Sequence, residues 1–376
     1  MKPRHKLAAL ACLLCGVAWL SIYAWKMDRR LWIGSNDFLQ LYAGARLVGT
    51  PQLYQAEPAY EIHRQAVGDW LPAVVYTRPP FYAWLLRPLG ALPYLAAYWI
   101  FMAVNFAGLC WFCFRFFKGS LGMAFLVSCF PPLYIAAVCG NDLGIVLGLL
   151  GGAFVLMERK RDFAAGLLLS LCAIKFHLFT AVPLVLWILG RRRVVAGGAA
   201  GGAVLLLISF AAQGLDWPRQ YLSLLSNPLV HPDVQVMPNL HGIAQSFAPA
   251  LATPITLVLS LFAVSAACGL AWLRKDQWHT ALGVAVLTGM LVSWHCYFQD
   301  CVLLLAVLAM VLRDETSAAL RLPLALLCVP VTFWMLMAPA PWCAVPALLM
   351  SAALVGALIS APRTASAPDA LSAPQA

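Results

Sequence analysis

The chain has 376 residues, 62% of them hydrophobic and only 11% charged, with a mean hydropathy of +0.82 and a formal net charge of +10. A soluble globular domain is excluded, because a water-facing surface needs more charge than this. The basic residues cluster at the ends of apolar runs, which reads as membrane orientation and gives no reason to expect nucleic acid as a partner.

Apolar runs recur along the whole chain, and many are long enough for a hydrocarbon core of ~30 Å. The first, residues 7–26, follows Lys2, Arg4 and Lys6 and has the outline of a signal sequence. No small-residue cleavage site follows it, so it reads as a retained first helix. Further spans are predicted at about 92–114, 121–139, 143–157, 163–174, 178–190, 194–212, 250–273, 279–294, 301–312, 322–338 and 344–360. The expectation is an all-α polytopic membrane protein of about twelve transmembrane or re-entrant helices, with two long external loops at 27–91 and 213–249. Residues 1–360 form a single transmembrane domain, and the Ala-, Ser- and Pro-rich tail 361–376 is expected to be disordered.

Two short runs, 163–174 and 178–190, lie between Arg159-Lys160-Arg161 and Arg191-Arg192-Arg193. One crossing would put those clusters on opposite faces. A re-entrant or broken hairpin puts both on the cytoplasmic face, as the positive-inside rule favours, with Lys175-Phe176-His177 at its turn. Sixteen of the 25 basic residues then fall on the inner side with six of the 15 acids, which leaves the outer side neutral. Both termini are cytoplasmic in this arrangement.

The same topology gathers the unusual polar residues at the outer ends of helices. They are Asp37, Asn141-Asp142, Lys175 and His177, the 213–249 loop with His231, Asp233, Asn239 and His241, and Ser293 to Asp300 with His295. Ionisable groups at membrane depth are costly, so a cavity or a ligand is the default reading. Each has a structural alternative. Asp37 can be the first acid of an interfacial helix, Asn141-Asp142 can be helix caps, and Lys175 can snorkel to the surface. His295 and Asp300 can simply pair with each other. The 12 cysteines sit mostly inside apolar runs and show no metal-ligand spacing, so no metal site and no cofactor are expected.

Cations suit a phosphate, a carboxylate suits proton removal, and aromatic rings suit a sugar face or a lipid chain. That combination points to a transferase using a lipid-phosphate donor outside the cytoplasm. A lipid or polar-solute transporter is the rival from another class, and a catalytically silent assembly subunit is a third reading. Transporters of that kind often carry paired interrupted helices in two halves, and the hairpin at Lys175 has no such partner.

Several short stretches also resemble a known family. They are Asp37-Phe38, Tyr42-Ala43-Gly44-Ala45-Arg46, Gly49 with Leu53-Tyr54, Arg78-Pro79-Pro80-Phe81, Gly140-Asn141-Asp142, Ile174-Lys175, Asn239 with Gly242, and Ser293, His295 and Asp300. In this order they resemble the polyprenol-phosphate-mannose-dependent mannosyltransferases of glycosyltransferase family 87, within the GT-C superfamily. The chain departs from the family pattern at Asn141, Phe176, Trp294 and Tyr297. The resemblance implies a GT-C-type fold in the plasma (inner) membrane, with an active site facing the extracytoplasmic side. It implies a hexosyltransferase, mannosyl by the family's example, with Asp37 as general base and inversion at the sugar. Lys175, Arg78, His177 and His295 would meet the donor phosphate, and Asn141, Asp142, Arg46 and Asp300 complete the expected substrate site. The partners implied are a polyprenyl-phosphate sugar, a glycan, glycolipid or lipid acceptor, and membrane lipid.

Overall fold

The computed structural model describes residues 33, 37–68, 75–117, 130–227, 230, 234–314 and 316–360. The predicted first span, part of the predicted third, Asp28, Asp69, His231, Asp233 and the tail lie outside them. Among the described residues every regular element is a helix.

Helices α1 (Asp37–Leu47), α2 (Ala56–Val67) and α3 (Pro80–Gly90) occupy the predicted first external loop, ahead of the long α4 (Tyr94–Phe117). Next come α5 (Pro131–Cys139), α6 (Leu143–Glu158), α7 (Asp162–Ser170), a 3-10 run Leu171–Phe179, and α8 (Val182–Ile188). After α9 (Arg192–Gln213), α10 (Trp217–Leu225) and α11 (Leu240–Phe247) fill the second predicted loop. They lead to α12 (Ala252–Leu273) and α13 (Trp278–Val292). A 3-10 run Phe298–Leu303 opens α14 (Leu304–Val311), and α15 (Ala318–Leu327), α16 (Pro330–Trp334) and α17 (Val345–Ile359) complete the described fold.

Among the described residues five helical runs are long and apolar enough to cross a membrane: Tyr94–Phe117, Asp162–Phe179, Arg192–Gln213, Pro249–Leu273 and Trp342–Ile359. The pair α5 and α6 would make a sixth, but it is bent by 118°. Gly140 causes that bend. It ends α5 at φ 67°, a left-handed conformation that glycine adopts without a Cβ clash. The other apolar helices are shorter than a span, and α13 shows why. It is buried from Thr280 to Leu291, so it is a core helix walled by its neighbours rather than by lipid.

The hairpin expected at Lys175 has a direct geometric correlate. The carboxylate of Asp162 lies 3.2 Å from the guanidinium of Arg191, so the chain between them leaves and returns to the same place. The helical path breaks at Lys175, whose φ of −126° and ψ of 49° are not helical. Asp162–Phe179 therefore meets the length of a span while its continuation turns back.

Two polar clusters mark the two ends of α6. At one end Glu158 pairs with Arg115 at 3.0 Å, Arg313 at 3.2 Å and His279 at 3.8 Å. Asp314 there accepts from the backbone and hydroxyl of Thr280, both at 2.8 Å, and lies 3.0 Å from His279. At the other end are Asp142, Lys175 and Asp300. Helix α6, 16 residues long, joins Asp142 to Glu158 across about 24 Å.

Candidate active site

Asp37 opens α1, and the residue after it anchors that helix. Phe38 is 1% exposed and packs on Phe101, Tyr94 and Tyr98 of α4, with ring centroids 4.8, 5.6 and 5.6 Å away. Tyr42, one turn on, donates its hydroxyl to the carbonyl of Leu92 at 2.8 Å. With its helix held this way, the half-buried carboxylate of Asp37 accepts a 2.7 Å hydrogen bond from the side-chain amide of Asn141. Burial raises the Asp37 pKa above the ordinary carboxylate value, against the pull of that hydrogen bond and of the charges on Lys175 and Arg78.

Arg78 comes from the segment before α3, whose backbone three tyrosines pin. The Tyr54 hydroxyl donates to the Arg78 carbonyl at 3.1 Å, Tyr76 to that of Pro79 at 2.9 Å, and Tyr221 of α10 to that of Thr77 at 3.2 Å. The guanidinium is buried and reaches to 3.7 Å from Asp142. Burial works against its charge, but Asp142, Asp300 and Asp37 outweigh burial and hold its pKa above the usual value.

Asp142 is the hub. It lies 3.7 Å from Arg78 and 3.6 Å from Lys175 and is only 1% exposed, yet among the described residues no donor meets either carboxylate oxygen in hydrogen-bonding geometry. The N-cap reading of Asp142 is thereby set aside, since its side chain caps nothing. The snorkelling reading of Lys175 fails as well. This lysine is buried, and its ammonium donates to Asp300 at 2.8 Å. Asp300 in turn accepts the backbone N–H of Tyr297 at 2.8 Å.

The histidines stand beside this cluster. His177 follows the Lys175 kink, and its ring centroid lies 5.7 Å from that of His295. Ser293 braces His295 by accepting its backbone N–H at 3.1 Å and donating to its carbonyl at 2.9 Å. Asn239 ties this turn to α11: its amide donates to the Ser293 carbonyl at 2.9 Å, and its oxygen accepts the Gly242 N–H at 2.8 Å. So Ser293, 54 residues on in sequence, joins Asn239 and Gly242 in one brace.

A cavity of about 650 Å³ opens beside the histidines. Its lining includes polar side chains, Thr77, Arg78, His177, Ser293 and His295, and apolar ones, Leu225, Leu257 and Val264. Two of those apolar residues belong to the membrane-length run Pro249–Leu273, so one cavity is lined by both charged and membrane-helix side chains.

Of the predicted site residues, Asp37, Arg78, Asn141, Asp142, Lys175, His177, His295 and Asp300 come together. Arg46 does not. It lies exposed at the far end of α1, over the ring of Tyr42 at 5.9 Å and about 13 Å along the helix from Asp37. Among the described residues no group of three or more His, Cys, Asp or Glu side chains is placed to hold a metal ion. Sequence reasoning missed Asn105 and Tyr82. Asn105 was visible as the one amide inside the apolar run 92–114. Tyr82, buried near Asp142, had no such signal among the many aromatics of its segment.

The family model for Glycosyltransferase family 87 matches residues 76–298, more than half of the chain. The match takes in Arg78, Asn141, Asp142, Lys175, His177 and His295, beginning after Asp37 and ending before Asp300. No curated protein and no solved structure matches the chain. With its membrane-length helices and this match, the chain belongs to glycosyltransferase family 87 and is a membrane glycosyltransferase.

Proposed function

We propose that the protein moves a hexose, mannose by the family's example, from a polyprenyl-phosphate donor to the hydroxyl of a glycan, glycolipid or lipid acceptor. The observation that carries this reading is a cavity lined by Arg78, His177, His295 and apolar side chains, beside the buried cluster in which Asp142 joins Arg78 to Lys175 and Asn141 holds Asp37. A cavity lined by both cationic and apolar side chains suits an amphiphile whose head is anionic and whose tail is a hydrocarbon.

The prenyl chain lies along Leu225, Leu257 and Val264, with its phosphate toward Arg78 and His295. Asp37 takes the proton from the acceptor hydroxyl. The acceptor oxygen forms its bond to the anomeric carbon as the bond to the phosphate oxygen breaks, and the sugar inverts. The electron pair leaves with the polyprenyl phosphate, whose growing charge Arg78 and Lys175 stabilise. Charge stabilisation of this kind is worth ~10²–10³ in rate per donor, and a general base ~10²–10⁴. The raised pKa of Asp37 makes it a stronger base than an exposed carboxylate.

The site end of the bundle faces away from the cytoplasm in this reading, in the plasma (inner) membrane, where lipid-linked sugars replace nucleotide sugars. Its support is the charge asymmetry, with Arg115, Arg191 and Arg313 at the opposite end. The test is to incubate membranes containing the protein with radiolabelled polyprenyl-phosphate hexoses and follow protein-dependent label transfer. Transfer from one donor that is lost in Asp37→Asn supports the reading. Transfer from a nucleotide sugar instead, or none from any polyprenyl-phosphate hexose, overturns it.

A further inference from the structure

A polar side chain deep in a membrane helix calls for a physical reason. Asn105 lies within the membrane-length helix α4 and is only 5% exposed. Its side-chain oxygen accepts the backbone N–H of Ile145 at 3.1 Å, and its amide reaches the carbonyl of Phe101 at 3.4 Å. Ile145 is the third residue of α6, and the first N–H groups of a helix have no acceptor within it. The residue at the N-cap ordinarily supplies one. Here that residue is Asp142, a type well suited to the task, and its side chain makes no such bond. Its carboxylate faces Arg78 and Lys175 instead. The two helices come close enough for Asn105 to act because residue 144 is glycine. A Cβ there would lie 2.2 Å from the Asn105 carbonyl oxygen and 3.0 Å from its side-chain oxygen.

We propose that Asn105 is a positioning residue for sugar transfer: it caps α6 from the neighbouring helix, which frees the Asp142 carboxylate to hold Arg78 and Lys175 in place for the donor phosphate. The inference rests on the donor-phosphate reading of those two cations. With the acceptor at 105 removed, Asp142 is the nearest replacement cap; its ψ of 9° must then turn to the extended range that capping needs, and that turn draws its charge away from both cations. Asn105 touches no substrate itself.

The experiment is a double-mutant cycle between Asn105→Leu, which keeps the side chain's approximate shape without an acceptor, and Asp142→Ala. Two readouts are followed in detergent: the KM and kcat for transfer from a polyprenyl-phosphate hexose, and the thermal unfolding midpoint. Asn105→Leu should raise the donor KM about tenfold, the scale of one lost cap, and leave the acceptor KM unchanged. In the Asp142→Ala background it should add little to the donor KM, because the cations have already lost their anion. Unfolding should couple the other way. Asn105→Leu should lower the midpoint further when Asp142 is alanine, since no side chain is left to cap α6.

A donor KM penalty that persists in full in the Asp142→Ala background would overturn the proposal. So would donor and acceptor KM values that rise together. If Asp142→Ala does not insert, Asn105→Gln, which keeps the acceptor, should recover most of the donor KM lost in Asn105→Leu, and failure to recover it counts against the proposal. Should the wild type transfer no sugar at all, the donor reading is what fails. The unfolding cycle then still decides on Asn105, and additive midpoints would reject the capping link.

Discussion

Replacing Lys175 by Met tests both the fold and the chemistry, and the structure shows how to separate them. Lys175 is 2% exposed and lies 2.8 Å from Asp300 and 3.6 Å from Asp142, each 1% exposed. Lys175→Met leaves Asp300 buried without its cation, and breaking a buried pair in this way costs about 3–5 kcal/mol. Against a total stability of about 5–15 kcal/mol that is a large fraction, so lost activity in the single variant would say little about the phosphate. Lys175→Met combined with Asp300→Asn removes one charge of each sign and keeps both shapes. The expected outcome is that heat resistance in detergent drops sharply in the single variant and largely returns in the double. Sugar transfer per folded molecule stays down by ~10²–10³ in the double variant, as expected for a lost charge-stabilising donor. The assay pair is thermal unfolding with radiolabel transfer on the same preparations. Wild-type transfer by the double variant would refute the reasoning and leave Lys175 as no more than the counter-ion of Asp300.

Asp37→Asn should keep the fold and lower transfer by ~10²–10⁴, and Asp37→Glu should retain a trace, because a displaced base can cost ~10²-fold. The sign of the pH effect follows from burial. Because the Asp37 pKa is raised, transfer should fall as acid takes the pH down through that raised value, at a higher pH than an exposed aspartate would give. The same burial disfavours the charged carboxylate in the fold, so Asp37→Asn should unfold at a higher temperature than wild type at neutral pH. That gap should close as the pH drops below the unfolded-state aspartate value, and a pH-independent gap would argue against a raised pKa. Arg46→Ala, remote from the cluster, should leave transfer within about twofold on radiolabel assay, the range expected of an exposed side chain away from the site. Ser226→Cys, exposed after α10, should react in a cysteine-depleted chain with an impermeant thiol reagent added outside intact cells, and labelling from the cytoplasmic side alone would reverse the topology.

Much of this protein was legible in its sequence because lipid imposes simple rules. A backbone in hydrocarbon must satisfy its own hydrogen bonds, so long apolar runs are helices, and every described regular element is one. Basic clusters on both sides of 163–190 implied a chain that turns back, and the Asp162–Arg191 pair closes that turn. The cost of intramembrane charge was enough to single out Asp37, Asp142, Lys175 and Asp300 as one group. How they pair was not legible. Helices such as α6 and α13 are apolar all round, so their periodicity does not say which face meets which neighbour. Rotation and depth are set by close backbone contacts at small residues, such as Gly144 against Gly108 and Asn105, and by the break at Lys175. Those contacts decided that Asp142 faces two cations instead of capping its helix, that Lys175 points inward, and that Arg46, close to Asp37 in sequence, stays outside the site.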